Sequence, residues 1–356
     1  MSKETAFEAL RFLDQKRDDH TPRLIFYGGE PLLNWDVLTA AVDLAERQFP
    51  NLEMEIVTNA TLLDAARARF LAKHRIFAII SLDGPRNIHD HNRPTVSGKG
   101  SYDDAVRGLR NLKKAGARFH VRATWVPGSI AYEEVFHHLA GLAGDSKFVT
   151  VALEFQKAGD KGANEYYEAL RRRYHDTRRM KDSEPPFAFS FIDQVLKGDL
   201  SPVPECEAGR SGFSVTPDGT LYPCQVSASL KYARLGTAAG GIDGEGRENL
   251  EAFLNRPSPA CRDCWVRPYC SGPCAFSAPL MEAKPFCDVI KLQVREALAA
   301  VARGRHRDLY APYKARSLSE ENKRVLARAA ALRAILWREN RHIKPLFLFP
   351  QGARET

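Results

Sequence analysis

The chain of 356 residues has no cysteine before Cys206, and then has seven. It opens MSKETAFEAL, without the basic-then-apolar profile of a signal peptide. An odd set of cysteines in such a chain argues against a disulfide framework and for metal binding. No apolar run approaches the ~20 residues that a membrane helix requires, so the expectation is a cytoplasmic protein with no membrane partner. With 44% hydrophobic and 27% charged residues the chain is neither a disordered tail nor a fibre. On about 100 to 200 residues per domain, its length holds one large domain or one with a smaller companion. Excess charge is missing from most of it too. The net charge is +8, yet residues 291–356 alone carry 15 Lys/Arg against 6 Asp/Glu, which leaves the first 290 residues nearly neutral.

What is present first is a βα repeat. Ala6, Ala9, Leu10 and Leu13 recur at helical spacing over Lys3 to Gln15, with Ser2 as N-cap. Strand patterns at Leu24 to Tyr27, around Leu52, Met54 and Ile56, and at Phe77 to Leu82, Phe119 to Val126 and Phe148 to Phe155 then alternate with helical ones. The helices fall at Trp35 to Arg47, Leu62 to Lys73, Tyr102 to Ala115 and Tyr132 to Leu142. Strands separated by helices of this length indicate a parallel sheet that binds ligands at the carboxyl ends of its strands. The repeat opens on a helix, so a first strand and its loop are expected to be missing. After Gln156 the pattern gives way to helical pieces at Ala163 to Met180 and Phe187 to Leu196. A hairpin from Phe213 to Tyr222 follows, turning on Pro217-Asp218-Gly219. The expected organisation is a partial barrel over 1–160, a helical linker over 161–200, a cysteine-rich domain over 201–290 and a basic helical extension over 291–356.

The cysteines are spaced Cys206-x17-Cys224, then Cys261-x2-Cys264-x5-Cys270-x3-Cys274, then Cys287, with Gly219 between the first two. Their region is poor in periodic apolar residues, so something besides packing is expected to hold it. A C-x2-C pair binds one metal or one iron of a cluster, and four thiolates close a tetrahedral site. Structural zinc, a redox disulfide and iron-sulfur clusters are all open on spacing alone.

Beside this pattern stand Tyr27-Gly28-Gly29-Glu30-Pro31, Thr58-Asn59-Ala60-Thr61-Leu62, and Ser81-Leu82-Asp83-Gly84-Pro85 with Ile88-His89-Asp90 and Arg93, each at a strand end. Together they resemble the radical S-adenosylmethionine (AdoMet) enzymes that carry a SPASM domain. The resemblance covers residues 1 to about 290. It implies an α/β fold: a partial (β/α)6 TIM-like barrel lacking its first strand, then a small cysteine-rich SPASM domain and a helical basic tail. It implies that Tyr27, Gly28, Gly29 and Glu30 bind the methionine amino group and that Asn59 lines the same site. Ser81 and Arg93 would contact the ribose and carboxylate, and Leu153 the adenine. It also implies two auxiliary 4Fe-4S clusters. Cys261, Cys264, Cys270 and Cys287 would hold one, and Cys206, Cys224 and Cys274 the other, whose fourth iron position is left for substrate, water or a carboxylate such as Asp199 or Glu205.

The family's C-x3-C-x2-C loop, which holds the AdoMet-cleaving cluster, is absent from these residues. The expectation is an oxidoreductase that modifies a peptide or protein once that loop is supplied, with flavodoxin or ferredoxin as electron donor. The alternatives are a non-catalytic iron-sulfur protein, for electron transfer or peptide binding, and a zinc scaffold. Sulfatase maturation is disfavoured because Gln225 follows Cys224 where those relatives use aspartate as a proton acceptor, and an amide is no general base. In the tail, Ser319 to Asn340 reads as an amphipathic helix rimmed by arginines. It is expected to pack on its own domain or dock an acidic leader peptide or partner subunit. Nucleic acid is an unfavoured partner, since no aromatic residues interleave the basic ones. The preferred expectation is that a strand and a C-x3-C-x2-C loop precede Met1. A reading frame extended upstream without that motif overturns it.

Overall fold

The computed structural model describes residues 1–15, 22–49, 51–176, 208–254, 261, 264–270, 287–291, 293–295 and 298. The helix expected over Phe187 to Leu196, Cys206, Cys274, Asp199, Glu205 and the basic helix from Ser319 lie outside them. The chain divides into one unit of residues 1–173, 204–264 and 272–289 and a second of 174–203, 265–271 and 290–356.

The first unit begins with helix α1 (Lys3–Gln15), then strand β1 (Arg23–Phe26), α2 (Trp35–Gln48), β2 (Glu53–Thr58), α3 (Ala65–Lys73) and β3 (Phe77–Ser81). It continues through α4 (Arg86–Asn92), α5 (Tyr102–Ala115), β4 (Phe119–Trp125), α6 (Tyr132–Ala143), β5 (Val149–Leu153) and α7 (Phe155–Asp176). The five strands form one sheet in the order β1-β2-β3-β4-β5, every pair parallel, as helical crossovers require. The expected barrel portion is therefore present, with α1 ahead of β1.

Burial alternates along the strands with a period of two, and this decides where a ligand can go. Met54, Ile56, Ala78, Ile80, Val121, Ala123, Trp125, Val149, Val151 and Leu153 are buried and join one core with residues of α1 to α3 and α5 to α7. The residues between them, among them Ile79, Ser81, His120, Arg122, Thr124, Thr150 and Ala152, are half-buried or exposed. One face of the sheet is thus sealed by helices, and the other is open and largely polar.

Three local features depart from the sequence reading. Helix α4 was read only as a motif. Helix α7 begins at Phe155, eight residues earlier than expected, because the chain turns directly from β5 into it. The hairpin of β6 (Ser214–Val215) and β7 (Thr220–Tyr222) continues through β8 (Gly236–Thr237) and β9 (Gly241–Ile242) into a four-stranded antiparallel sheet, followed by α8 (Gly244–Leu254). That sheet has a small core of its own. Leu221 and Leu235 pack with Phe12 of α1, whose ring meets Phe213 edge-on at 5.2 Å.

Helix α5 approaches the loop after β2 so closely that a Cβ on Gly108 would strike the Ala60 carbonyl oxygen. Backbone cannot swing away as a side chain can. Gly108→Ala is expected to destabilise the fold by about 1 to 3 kcal/mol, measured as a lowered urea midpoint with an unchanged slope.

Candidate functional site

The three strand-end motifs are built into one edge of the open sheet. After β1 the chain turns through Gly28, whose φ of 145° is in a region that side chains avoid. Neither Gly28 nor Gly29 has an atom within 4 Å of where a Cβ would stand. A ligand can therefore lie against this backbone. Tyr27 beside them is exposed. Glu30 turns the other way. Its Oε1 accepts hydrogen bonds from Leu32 N at 3.1 Å and Thr58 Oγ1 at 2.7 Å, and Oε2 accepts from Asn59 N at 2.8 Å. The carboxylate staples the end of β1 to the end of β2, with three donors on it before any ligand arrives.

Asn59 is also engaged locally: its Oδ1 accepts from Thr61 N at 3.0 Å and Thr61 Oγ1 at 2.8 Å, closing an Asx turn. Ala60, in the middle of that turn, has φ 62°.

At the end of β3, Asp83 is 3% exposed and is the hub of the next motif. It accepts from Arg93 Nε at 2.7 Å and Nη2 at 3.1 Å, and from Thr124 N of β4 at 3.0 Å. His89, also buried, links the same segment. Its Nδ1 faces Asp83 N at 3.3 Å and its Nε2 faces Ser101 Oγ at 3.0 Å, while the Ser101 hydroxyl donates to Arg93 O at 2.6 Å. Since the serine proton is spent on Arg93 O, Nε2 must carry a proton and Nδ1 must accept. The ring is the neutral Nε2–H tautomer. This agrees with its pKa, which burial pushes below the usual histidine value, with the Arg93 charge adding to the fall and Asp83 and Asp90 opposing it.

Of the residues expected to touch AdoMet, the structure brings Tyr27, Gly28, Gly29, Glu30 and Asn59 to one edge of the sheet and Ser81 onto the open face. Leu153 is 5% exposed and lies on the helix-covered face, paired with Trp125, and Arg93 pairs with Asp83 through Nε and Nη2. The glycines and Ser81 fit a nucleoside-bearing amino acid, since they leave open backbone and a hydroxyl along one edge. Asp83 as a hub and Arg122 on the open face were missed in the sequence. Arg122 was legible as a polar residue in an alternating strand, and Asp83 only as part of a longer motif.

The cysteines are less gathered. Cys224 follows β7 and shares a turn with buried Ser227, whose hydroxyl donates to Cys224 O at 2.8 Å. Cys261, Cys264 and Cys287 belong to the first unit and Cys270 to the second. All five described cysteines are half-buried. Among the described residues no three Cys, His, Asp or Glu side chains stand together as a metal site, and Cys206 and Cys274 lie outside those residues.

Residues 1–137 match the model of the Radical SAM superfamily. A protein of Archaeoglobus fulgidus is 29% identical over 79% of this chain and 70% of its own length. The serine-type anaerobic sulfatase-maturating enzyme of Klebsiella aerogenes is 24% identical over 70% of this chain and 65% of its own. The solved structure of anSMEcpe with bound AdoMet superposes with a TM-score of 0.70 at 18% identity, covering 88% of this chain and 90% of that one. That of Streptococcus suis SuiB bound to S-adenosylmethionine gives 0.54 at 17%, covering 79% and 67%. The chain thus shares the fold of anSMEcpe, and its first 137 residues match the Radical SAM superfamily.

Burying His89 as the neutral ring makes stability depend on pH. With the folded-state pKa lowered, the unfolded chain binds more protons below about pH 6.5, so stability falls as pH drops through that value. Urea midpoints at pH 7.5 and 5.5 should differ more for the wild type than for His89→Asn. The remaining acid slope includes His138, also lowered by burial.

Proposed function

We propose that this chain, with its radical SAM domain over residues 1–137, binds AdoMet along the carboxyl edge of the open sheet and acts in the modification of a peptide or protein. The observation that carries this is the pair of unobstructed glycines at the end of β1, on the same edge as Ser81. The Gly28-Gly29 backbone would hold the methionine part, and Glu30 would keep that backbone in place through its bonds to β2. Ser81 would bond the ribose. AdoMet, when bound and reduced by one electron, supplies a radical that abstracts hydrogen from a substrate. The reduction needs three thiolates in C-x3-C-x2-C spacing, which residues 1–205 do not contain. The helices covering the opposite face close that side of the sheet to water, so a substrate must enter from the open side.

A peptide substrate is supported by two neighbours. The structure of anSMEcpe with AdoMet and the Cp18Cys peptide superposes with a TM-score of 0.70 at 18% identity, and the Klebsiella aerogenes relative named above is a sulfatase-maturating enzyme. Against sulfatase maturation itself stands Gln225, an exposed amide directly after Cys224. The seven cysteines are proposed to hold two auxiliary 4Fe-4S clusters, on the support of their spacing. No step is assigned to those clusters. An electron donor such as flavodoxin or ferredoxin and a cytoplasmic site belong to the same reading. No described helix is long and apolar enough to cross a membrane.

Titration calorimetry tests the AdoMet reading. Wild type should bind AdoMet, and Gly28→Val, which forces a branched side chain into both a strained φ and the ligand's path, should weaken binding at least about tenfold. Absence of binding by the wild type at millimolar AdoMet rejects the reading. The cluster assignment is tested separately by anaerobic reconstitution. A brown protein with acid-labile sulfide supports it, and a colourless protein holding zinc refutes it.

A further inference from the structure

The open face of the parallel sheet carries a guanidinium that nothing in the fold accounts for. Arg122 lies in the middle of β4 between buried Val121 and Ala123, and its side chain is exposed. Among the described residues it has no hydrogen-bond or ion-pair partner. Its neighbours in register are Ser81 on β3 and Thr150 on β5. The Thr150 hydroxyl is engaged with His120 Nε2 at 2.8 Å.

The arginine at the far edge of this face is paired. Arg23 on β1 lies 3.4 Å from Glu53 and 3.8 Å from Glu55 on β2. Arg93, expected from the sequence motif to meet the carboxylate of AdoMet, gives Nε and Nη2 to Asp83. Arg93 thus spends its Nε/Nη2 edge on Asp83, whereas Arg122, one strand away and level with Ser81, spends no N–H on the described residues.

We propose that Arg122 is the carboxylate-recognising residue of this site. A guanidinium presents two parallel N–H groups that match a carboxylate bidentately. The carboxylate has two sources of the same chemistry: the α-carboxylate of AdoMet, or an acidic side chain or C-terminus of the peptide being modified. The first source rests on the AdoMet reading above, and the second does not. Arg122 is exposed, so replacing it leaves the core of the sheet intact.

The experiment measures binding to wild type, Arg122→Met and Arg122→Lys. The probes are AdoMet, decarboxylated AdoMet, and the capped peptides acetyl-Gly-Ala-Glu-Ala-Gly-amide and its Gln counterpart. If Arg122 takes the AdoMet carboxylate, Arg122→Met weakens AdoMet roughly 10- to 100-fold and leaves decarboxylated AdoMet unchanged, while Arg122→Lys falls between. If it takes the substrate's carboxylate, AdoMet binding is the same in all three proteins. The preference of wild type for the Glu peptide over the Gln peptide is then lost in Arg122→Met. Unchanged binding of both AdoMet and the Glu peptide overturns the proposal. A wild type that binds neither AdoMet nor its decarboxylated form rejects the AdoMet reading alone, and the peptide pair then decides the role of Arg122.

Discussion

A carboxylate sealed at the end of a strand must be matched by donors, and around Asp83 that requirement organises half of the site. Desolvating an ionised carboxylate costs several kcal/mol unless charge and hydrogen bonds offset it. The offset comes from the two nitrogens of Arg93 and the amide of Thr124. One bond crosses to β4 and the others pull the end of α4 back onto β3. His89 and Ser101 then fix the path of the loop between α4 and α5 through a relay in which every proton is assigned. The arginine that a sequence motif suggests for the ligand is thereby made part of the frame.

Glu30 performs the equivalent task one pair of strands away. Parallel strands cannot be joined by a tight hairpin, so their carboxyl ends have no covalent tie short of a whole helix. The bonds from Thr58 and Asn59 to Glu30 supply that tie in side-chain form. The cost appears at Ala60, which holds φ 62° where a glycine would be unstrained. The turn keeps this conformation because both its flanks are bonded: Asn59 closes its own Asx turn, and Ala60 N donates to Thr58 Oγ1 at 3.0 Å. Gly108 of α5 completes the fit by leaving room for the Ala60 carbonyl.

The parallel sheet was legible because alternation and helical periodicity are local properties. Strands such as β4 read Phe-His-Val-Arg-Ala-Thr-Trp, with every second residue destined for the helices. The site was legible in part, and for a different reason. Motifs give the identity of residues at strand ends but not how each side chain divides its bonds between ligand and frame. Glu30 and Arg93 read as ligand contacts in sequence, and the structure adds the bonds that each makes to the protein. Leu153 has the right position on its strand and the wrong parity, one residue away from the open face. Arg122 fits no motif, and its meaning comes only from which neighbours are already paired. The antiparallel sheet of β6 to β9 escaped beyond its first hairpin because strands of two or three residues carry too little alternation to detect.

The apolar side chains of that small sheet were too few in sequence to suggest a core. Leu221 and Leu235 are fully buried nonetheless, because Phe12 reaches them from α1 and meets Phe213 edge-on. Leu10 of the same helix packs into the core of the parallel sheet. Two residues apart on a helix point in directions about 200° apart, so α1 has an apolar side for each sheet. A helix that reads as the stray opening of a βα repeat is thus the element that gives the short antiparallel strands something to bury. Strands this short are marginal alone, and the shared helix ties the stability of this sheet to that of the parallel one.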